Sequence, residues 1–167
     1  MQKASRLQGK RRNVVLFLTA VLIVAADQLS KLWIRSNLAV GESLPESGFF
    51  QLTHSYNTGA VFGLFQGHSF ALTIVALVGI AVLLIYALFI YRRFPFLDNM
   101  PNRVALGLIL GGTVGNLIDR LNSNLCGVTD FISIGIWPAF NIADSAVTIG
   151  TILFAYSFLR LAQAEKH

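Results

Sequence analysis

Charge is scarce in this sequence. Of its 167 residues 13% are charged, where a soluble domain carries about 25%, and 54% are hydrophobic, with a mean hydropathy of +0.64. That balance excludes an ordinary water-soluble fold and fits a single membrane domain. Cysteine is scarcer still. Cys126 stands alone, which rules out an intramolecular disulfide and a thiol redox pair and leaves a small apolar filler as its expected role. The histidines His54, His68 and His167 are scattered and no His-Glu-x-x-His occurs, so no metal centre is expected, and nothing suggests a cofactor. The net charge of +5 would suit nucleic acid, but its distribution does not. Lys3, Arg6, Lys10, Arg11 and Arg12 cluster at the N-terminus, Arg92, Arg93 and Arg103 flank one short loop, and Arg160 and Lys166 lie in the tail. Those are the places of positive-inside membrane anchors, so no nucleic-acid partner is expected.

What is present is four apolar stretches. The hydropathy pattern predicts helices over about 13–35, 69–91, 103–120 and 138–160, with 36–68 and 121–137 as external segments and both termini cytoplasmic. Residues 1–12 read as a frayed basic tail. A cleaved signal peptide is the rival reading of the first stretch, but the helical apolar pattern continues past Asp27. Phe70 to Ile90 is 21 residues without a charge, ample for a span. Gly107, Gly111 and Gly115 recur every fourth residue on one helix face, where small residues let backbones approach. Phe49 to Tyr56 alternates partially, as a strand does, and Pro138 suits the first turn of the fourth helix. The fold class is therefore all-α integral membrane, with four spanning helices and a small extracytoplasmic β-containing subdomain.

Depth follows from helical rise. Asp27 lies fifteen residues beyond Arg12, Asp119 sixteen beyond Arg103, and Asp144 sixteen before Arg160. At about 1.5 Å per residue each sits roughly 22–24 Å above its inner anchor, in a hydrocarbon core about 30 Å thick. Asp27 with Lys31, Asn116 with Asp119 and Arg120, and Asn141 with Asp144 thus share one level near the outer boundary. Asp27 and Lys31 are four apart and can pair on one helix face; Arg120 is the expected neutraliser of Asp119. Asp130 and Asp144 have no basic neighbour in sequence. They bracket a run that is otherwise almost wholly apolar, and intramembrane ionisable groups are functional candidates by default. Two close carboxylates do not both ionise easily, so one keeps a proton. The ionised one can take a proton from a water that attacks a carbonyl, and the protonated one can polarise that carbonyl. Rival readings are a serine–lysine pair at Ser30 and Lys31, which point in different directions on a helix, and a proton-coupled transporter, which needs polar groups on both sides of the membrane.

Five stretches carry a resemblance: Asp27-Gln28-Leu29-Ser30-Lys31, Asn57-Thr58-Gly59-Ala60-Val61-Phe62, Gly111-Gly112-Thr113-Val114-Gly115-Asn116-Leu117-Ile118-Asp119-Arg120, Val128-Thr129-Asp130-Phe131 and Phe140-Asn141-Ile142-Ala143-Asp144-Ser145. In that order they span most of the chain, and together they resemble the lipoprotein signal peptidase (signal peptidase II) family. A departure such as Val147, where isoleucine is common, is conservative; the tails and residues 38–56 are weakly determined. The resemblance implies an aspartic endopeptidase of the bacterial cytoplasmic (inner) membrane, active near its extracytoplasmic face. Its substrates would be prolipoproteins whose cysteine carries diacylglyceryl, cut on the amino side of that cysteine. Asp130 and Asp144 match the family's catalytic dyad. Asp27, Lys31, Asn57, Gly59, Asn116, Asp119, Arg120 and Asn141 match positions that bind substrate or support the site. Partners would be the lipid-modified substrates and membrane lipid, the working unit a monomer. The aromatic stretch around Phe62 and Phe65 is a candidate cover for the site.

Overall fold

The structure, a computed structural model, describes residues 2–59, 69–89 and 99–164, with side chains from 11 to 160. Four helices carry the described residues: α1 (Gln2–Asn37), α2 (Ser69–Leu88), α3 (Met100–Leu121) and α4 (Ile142–Ala164). Each is long and apolar enough to cross a membrane. Between α1 and α2 lie β1 (Ser43–Leu44) and β2 (Phe50–Asn57), and between α3 and α4 lie β3 (Val128–Ile134) and β4 (Trp137–Phe140). They form one antiparallel sheet in the order β1-β2-β3-β4.

Helix α3 is the hub. Its apolar stretch is 56% buried, against 17% for α1, 6% for α2 and 17% for α4. The cause is its small-residue face. A side chain at Gly107 or Gly111 would meet the backbone oxygens of Leu16 or Ala20 at 2.6 and 2.7 Å, so only glycine lets α1 lie this close. Leu16 and Ala20 then pack with Leu106, Leu110 and Ala87 in one apolar core. Outward, α1 exposes Val14, Leu18 and Val21, α2 exposes Phe70, Val75 and Val82, and α4 exposes Ile149, Ile152 and Tyr156. An apolar outer surface around a polar inner face is what lipid as solvent favours.

Arg103, expected as a membrane anchor, is buried and its Nη1 donates to the backbone oxygen of Ala87 at 2.9 Å. It thereby satisfies a carbonyl near the end of α2. Asn99 caps α3, its side chain accepting from Asn102 N at 2.9 Å, with Pro101 in the first turn.

Four expectations are corrected. The backbone of α1 is helical from Gln2, so the basic stretch before Asn13 extends the helix; its Lys, Arg, Gln and Ala are good helix formers. The fourth helix starts at Ile142, and residues 138–141 precede it. Pro138 lies in β4, the edge strand, where its missing N–H costs no ladder bond. The segment after α3, expected only as external chain with no strand assigned to it, holds β3 and β4, and Asp130 stands on β3. Cys126 is exposed, not a core filler.

The sheet sits on the end of α1, where Ile34, Leu38 and Phe131 form a second apolar cluster joined by Leu52, Ile132 and Ile142. That packing carries β3, and Asp130 with it, over the polar ends of α1, α3 and α4.

Candidate active site

The site is assembled at the N-terminus of α4. Asn141 precedes the helix and caps it: Asp144 N donates to Asn141 Oδ1 at 2.9 Å, and Asn141 N donates back to Asp144 Oδ2 at 3.3 Å. This is a reciprocal capping box with Asp at its fourth position, and it fixes the Asp144 carboxylate relative to the helix. The free Ala143 N–H is taken by Asp27 Oδ1 at 3.0 Å, so α1 supplies a second cap for α4.

Asp27 belongs to an ionic cluster. Lys31 Nζ lies 2.8 Å from Asp27 Oδ2 and 3.4 Å from Asp119 Oδ2, with all three side chains buried. Arg35 Nη1 reaches Asp119 Oδ1 at 3.5 Å and donates to Thr129 Oγ1 at 3.0 Å. Gln28 Nε2 bridges Gly115 O at 3.0 Å and Asp119 Oδ1 at 3.2 Å. Thr129 N donates to Asp119 Oδ2 at 3.0 Å, which ties the start of β3 to α3. A side chain at Gly115 would lie 2.7 Å from Asp27 Oδ2, so glycine is required beside this carboxylate. Buried charges persist only when paired and hydrogen-bonded, and here every ion has both.

Asp130 and Asp144 are held differently. Asp130 Oδ1 accepts from Asn141 Nδ2 at 2.7 Å and its Oδ2 from Asn57 Nδ2 at 3.0 Å. Asp144 Oδ1 accepts from Asn116 Nδ2 at 2.8 Å. Among the described residues neither carboxylate has an ion pair. Lys31 touches the dyad only through Asn116, to whose Oδ1 it donates at 3.0 Å; Asn141 Nδ2 donates to the same oxygen at 3.1 Å. Burial pushes the Asp130 carboxyl up to about 7, the charge of Asp144 adds to this, and the hydrogen bonds from Asn57 and Asn141 and the charge of Lys31 oppose it.

Arg120 does not neutralise Asp119. Its Nη2 donates to Gly59 O at 3.1 Å, and Gly59 N donates to Asn57 Oδ1 at 2.8 Å. Arg120 and Gly59 thus brace the asparagine that holds Asp130. All ten residues singled out in the sequence meet in this region. Gln28, Arg35 and Thr129, which the sequence reading did not single out, join them through their hydrogen bonds and ion pair. The signal for Arg35 was present, since Asp27, Lys31 and Arg35 recur at intervals of four on one face of α1. Phe62 and Phe65, the candidate cover, lie outside the described residues.

Two cavities of about 330 Å³ each flank Asp144 and share Asn57. One lies between α2 and α3 and is lined by Leu72, Asn116, Arg120 and Asp130; the other lies under β4 and is lined by Trp137, Phe140, Thr148 and Ile149. Among the described residues no group of His, Cys, Asp and Glu could hold a metal ion.

The comparisons with known proteins agree with one another. The family model described as signal peptidase (SPase) II matches residues 19–160. A lipoprotein signal peptidase of Dehalococcoides mccartyi is 52% identical over 141 residues, covering 84% of this chain and 86% of its own. That of Moorella thermoacetica is 44% identical over 144 residues, covering 85% and 91%. A solved bacterial membrane enzyme, determined by the in meso method, superposes with a TM-score of 0.76 at 32% identity, covering 87% of each chain.

Proposed function

The chain belongs to the signal peptidase II family, and on that premise we propose that it is an intramembrane aspartic endopeptidase acting through Asp130 and Asp144. Its substrates are diacylglyceryl-modified prolipoproteins, which it cuts on the amino side of the lipidated cysteine. It works as a monomer in the bacterial cytoplasmic (inner) membrane, with both termini inside and the dyad near the extracytoplasmic face. The observation that carries this reading is the contrast in partners. A buried carboxylate, Asp130, and a half-buried one, Asp144, stand on different elements, share one asparagine and contact only amides, while the neighbouring carboxylates contact cations.

The chemistry follows from that arrangement. A carboxyl pushed up to about 7 keeps its proton under neutral conditions in part of the population, so Asp130 is the acid of the pair. Asp144 carries the charge at the N-terminus of α4, where a helix favours an anion. It takes a proton from water as the oxygen attacks the scissile carbonyl, and Asp130 hydrogen-bonds the carbonyl oxygen as negative charge develops there. When the C–N bond breaks, the proton held by Asp144 passes to the leaving amine, and a carboxylic acid and an amine result. The titration belongs to the pair and not to either residue alone.

A transmembrane signal peptide reaches such a site laterally, and cavities on both sides of Asp144 suit a chain laid across the dyad. The serine–lysine alternative lacks the geometry. Ser30 Oγ donates to the backbone oxygen of Asp27 at 2.9 Å, and Lys31 is engaged by Asp27, Asp119 and Asn116.

The test is cleavage by the purified protein in lipid, read by mass. A diacylglyceryl-modified prolipoprotein should yield a free signal peptide and a product starting at the lipidated cysteine, while the unlipidated precursor stays intact. Scission at another bond, or equal cleavage of both precursors, would overturn the substrate assignment.

A further inference from the structure

Four of the large apolar side chains that stand out of the sheet lie around the β3–β4 turn. At the tip of the β3–β4 hairpin Ile136 is 99% exposed and Trp137 60%, and beside them, at the start of β2, Phe49 is 78% and Phe50 54% exposed. They form one patch. Gly135 N donates to Phe49 O at 2.7 Å, Phe50 pairs with Ile134, and Ile134 pairs with Trp137. Neither segment carries an Asp, Glu, Lys or Arg between Ser47 and Asn57 or between Phe131 and Ala143. Covering such side chains is favourable, and an exposed cluster of this kind marks a surface with a partner.

Position identifies the partner. Trp137 and Pro138 line one cavity together with Thr148 and Ile149 of α4, so the hairpin overhangs the flank of α4. That flank exposes Ile149, Ile152, Leu153 and Tyr156 and is part of the lipid-facing surface of a spanning helix. The patch is therefore continuous with the bilayer-facing wall of the protein. Tryptophan is favoured at the membrane–water boundary. With no Lys or Arg in either segment and His54 buried, the contact rests on apolar insertion and not on anionic headgroups.

We propose that the hairpin tip Ile136–Trp137, with Phe49 and Phe50 beside it, inserts into the leaflet on the dyad's side of the membrane as a keel for the sheet. The keel holds β3, and with it Asp130, at a fixed height over the start of α4. The depth of the patch itself does not rest on the catalytic roles assigned above.

The chain has two tryptophans, so Trp33→Phe leaves Trp137 as the sole indole reporter. The full-length Trp33→Phe protein is reconstituted in phosphatidylcholine vesicles, with or without bromine on the upper part of the acyl chains. Bromolipid should quench the emission about twofold or more, and aqueous iodide should quench it little. Adding Ile136→Glu should raise iodide quenching and lower bromolipid quenching. If that second variant does not fold, the first still reads the depth of Trp137 directly. Strong iodide quenching without bromolipid quenching would overturn the proposal. So would an indole that is aqueous in pure lipid yet shielded in native membranes, since that outcome assigns the patch to a protein partner.

Discussion

Asp27 and Asp119 lie next to Asp130 and Asp144, at the same level of the bundle, yet the two pairs live in different chemistry. The first pair is clamped by Lys31 and, at Asp119, by Arg35. The second is held by Asn57, Asn116 and Asn141. A cation fixes a carboxylate in its charged form; an amide positions it and leaves its proton negotiable. The contrast teaches that a carboxylate held by amides, with no cation in direct contact, stays available for proton transfer.

The sharpest way to break the comparison is to remove the protons of the second pair. Asp130→Asn and Asp144→Asn should each lower cleavage of lipidated substrate by about 10⁴-fold, while the protein still inserts and keeps its helical circular dichroism. Appreciable turnover by either variant would remove the dyad from the mechanism. Next in size is Lys31→Met, which strips the charge from the first pair. It leaves Asp27 and Asp119 buried without their shared cation, a loss of about 3–5 kcal/mol, measured as reduced resistance to denaturant or a lower Tm in lipid. Wild-type stability in this variant would show that the ionic cluster is dispensable.

The smallest effect sharpens the comparison. Asp130 is pushed up to about 7, so its acid form is present below that pH and is lost as pH rises through it. The profile of kcat/KM should therefore fall on the alkaline side above about 7, by about tenfold per pH step of one. Asn57→Ala removes a hydrogen bond that favours the ionised carboxylate, so the alkaline limb should move to higher pH. The stability linkage has the same sign. The folded chain binds this proton more tightly than the unfolded chain, so the stability it contributes is full below the ordinary carboxylate range and is lost as pH climbs to about 7. An alkaline limb unmoved by Asn57→Ala would dissociate that limb from Asp130.

Much of the site was legible because depth in a membrane helix is a one-dimensional quantity. Asp27, Asn116, Asp119, Asn141 and Asp144 share a level by counting residues from the basic anchors, and the structure joins them, for instance at Asp27 Oδ1 and Ala143 N. The pairing of Arg120 with Asp119 was misread because adjacent residues on a helix point in different directions. Asp119 faces Lys31 and Arg35, and Arg120 turns to Gly59. The strand around Asp130 was hidden because its flanking sequence, Phe131-Ile132-Ser133-Ile134, is an apolar run whose period does not separate a strand from a loop beside a membrane.

The sequence by itself determined that four helices are long and apolar enough to cross a bilayer, which side chains they carry, and that the polar ones share one level along them. Those properties follow from hydropathy and helical rise, both local to the chain. Only the tertiary structure decided which carboxylates meet cations and which meet amides. That choice depends on the rotation and close approach of α1, α3 and α4, set where glycine brings backbones into contact, and on the sheet that carries Asp130 back over the start of α4.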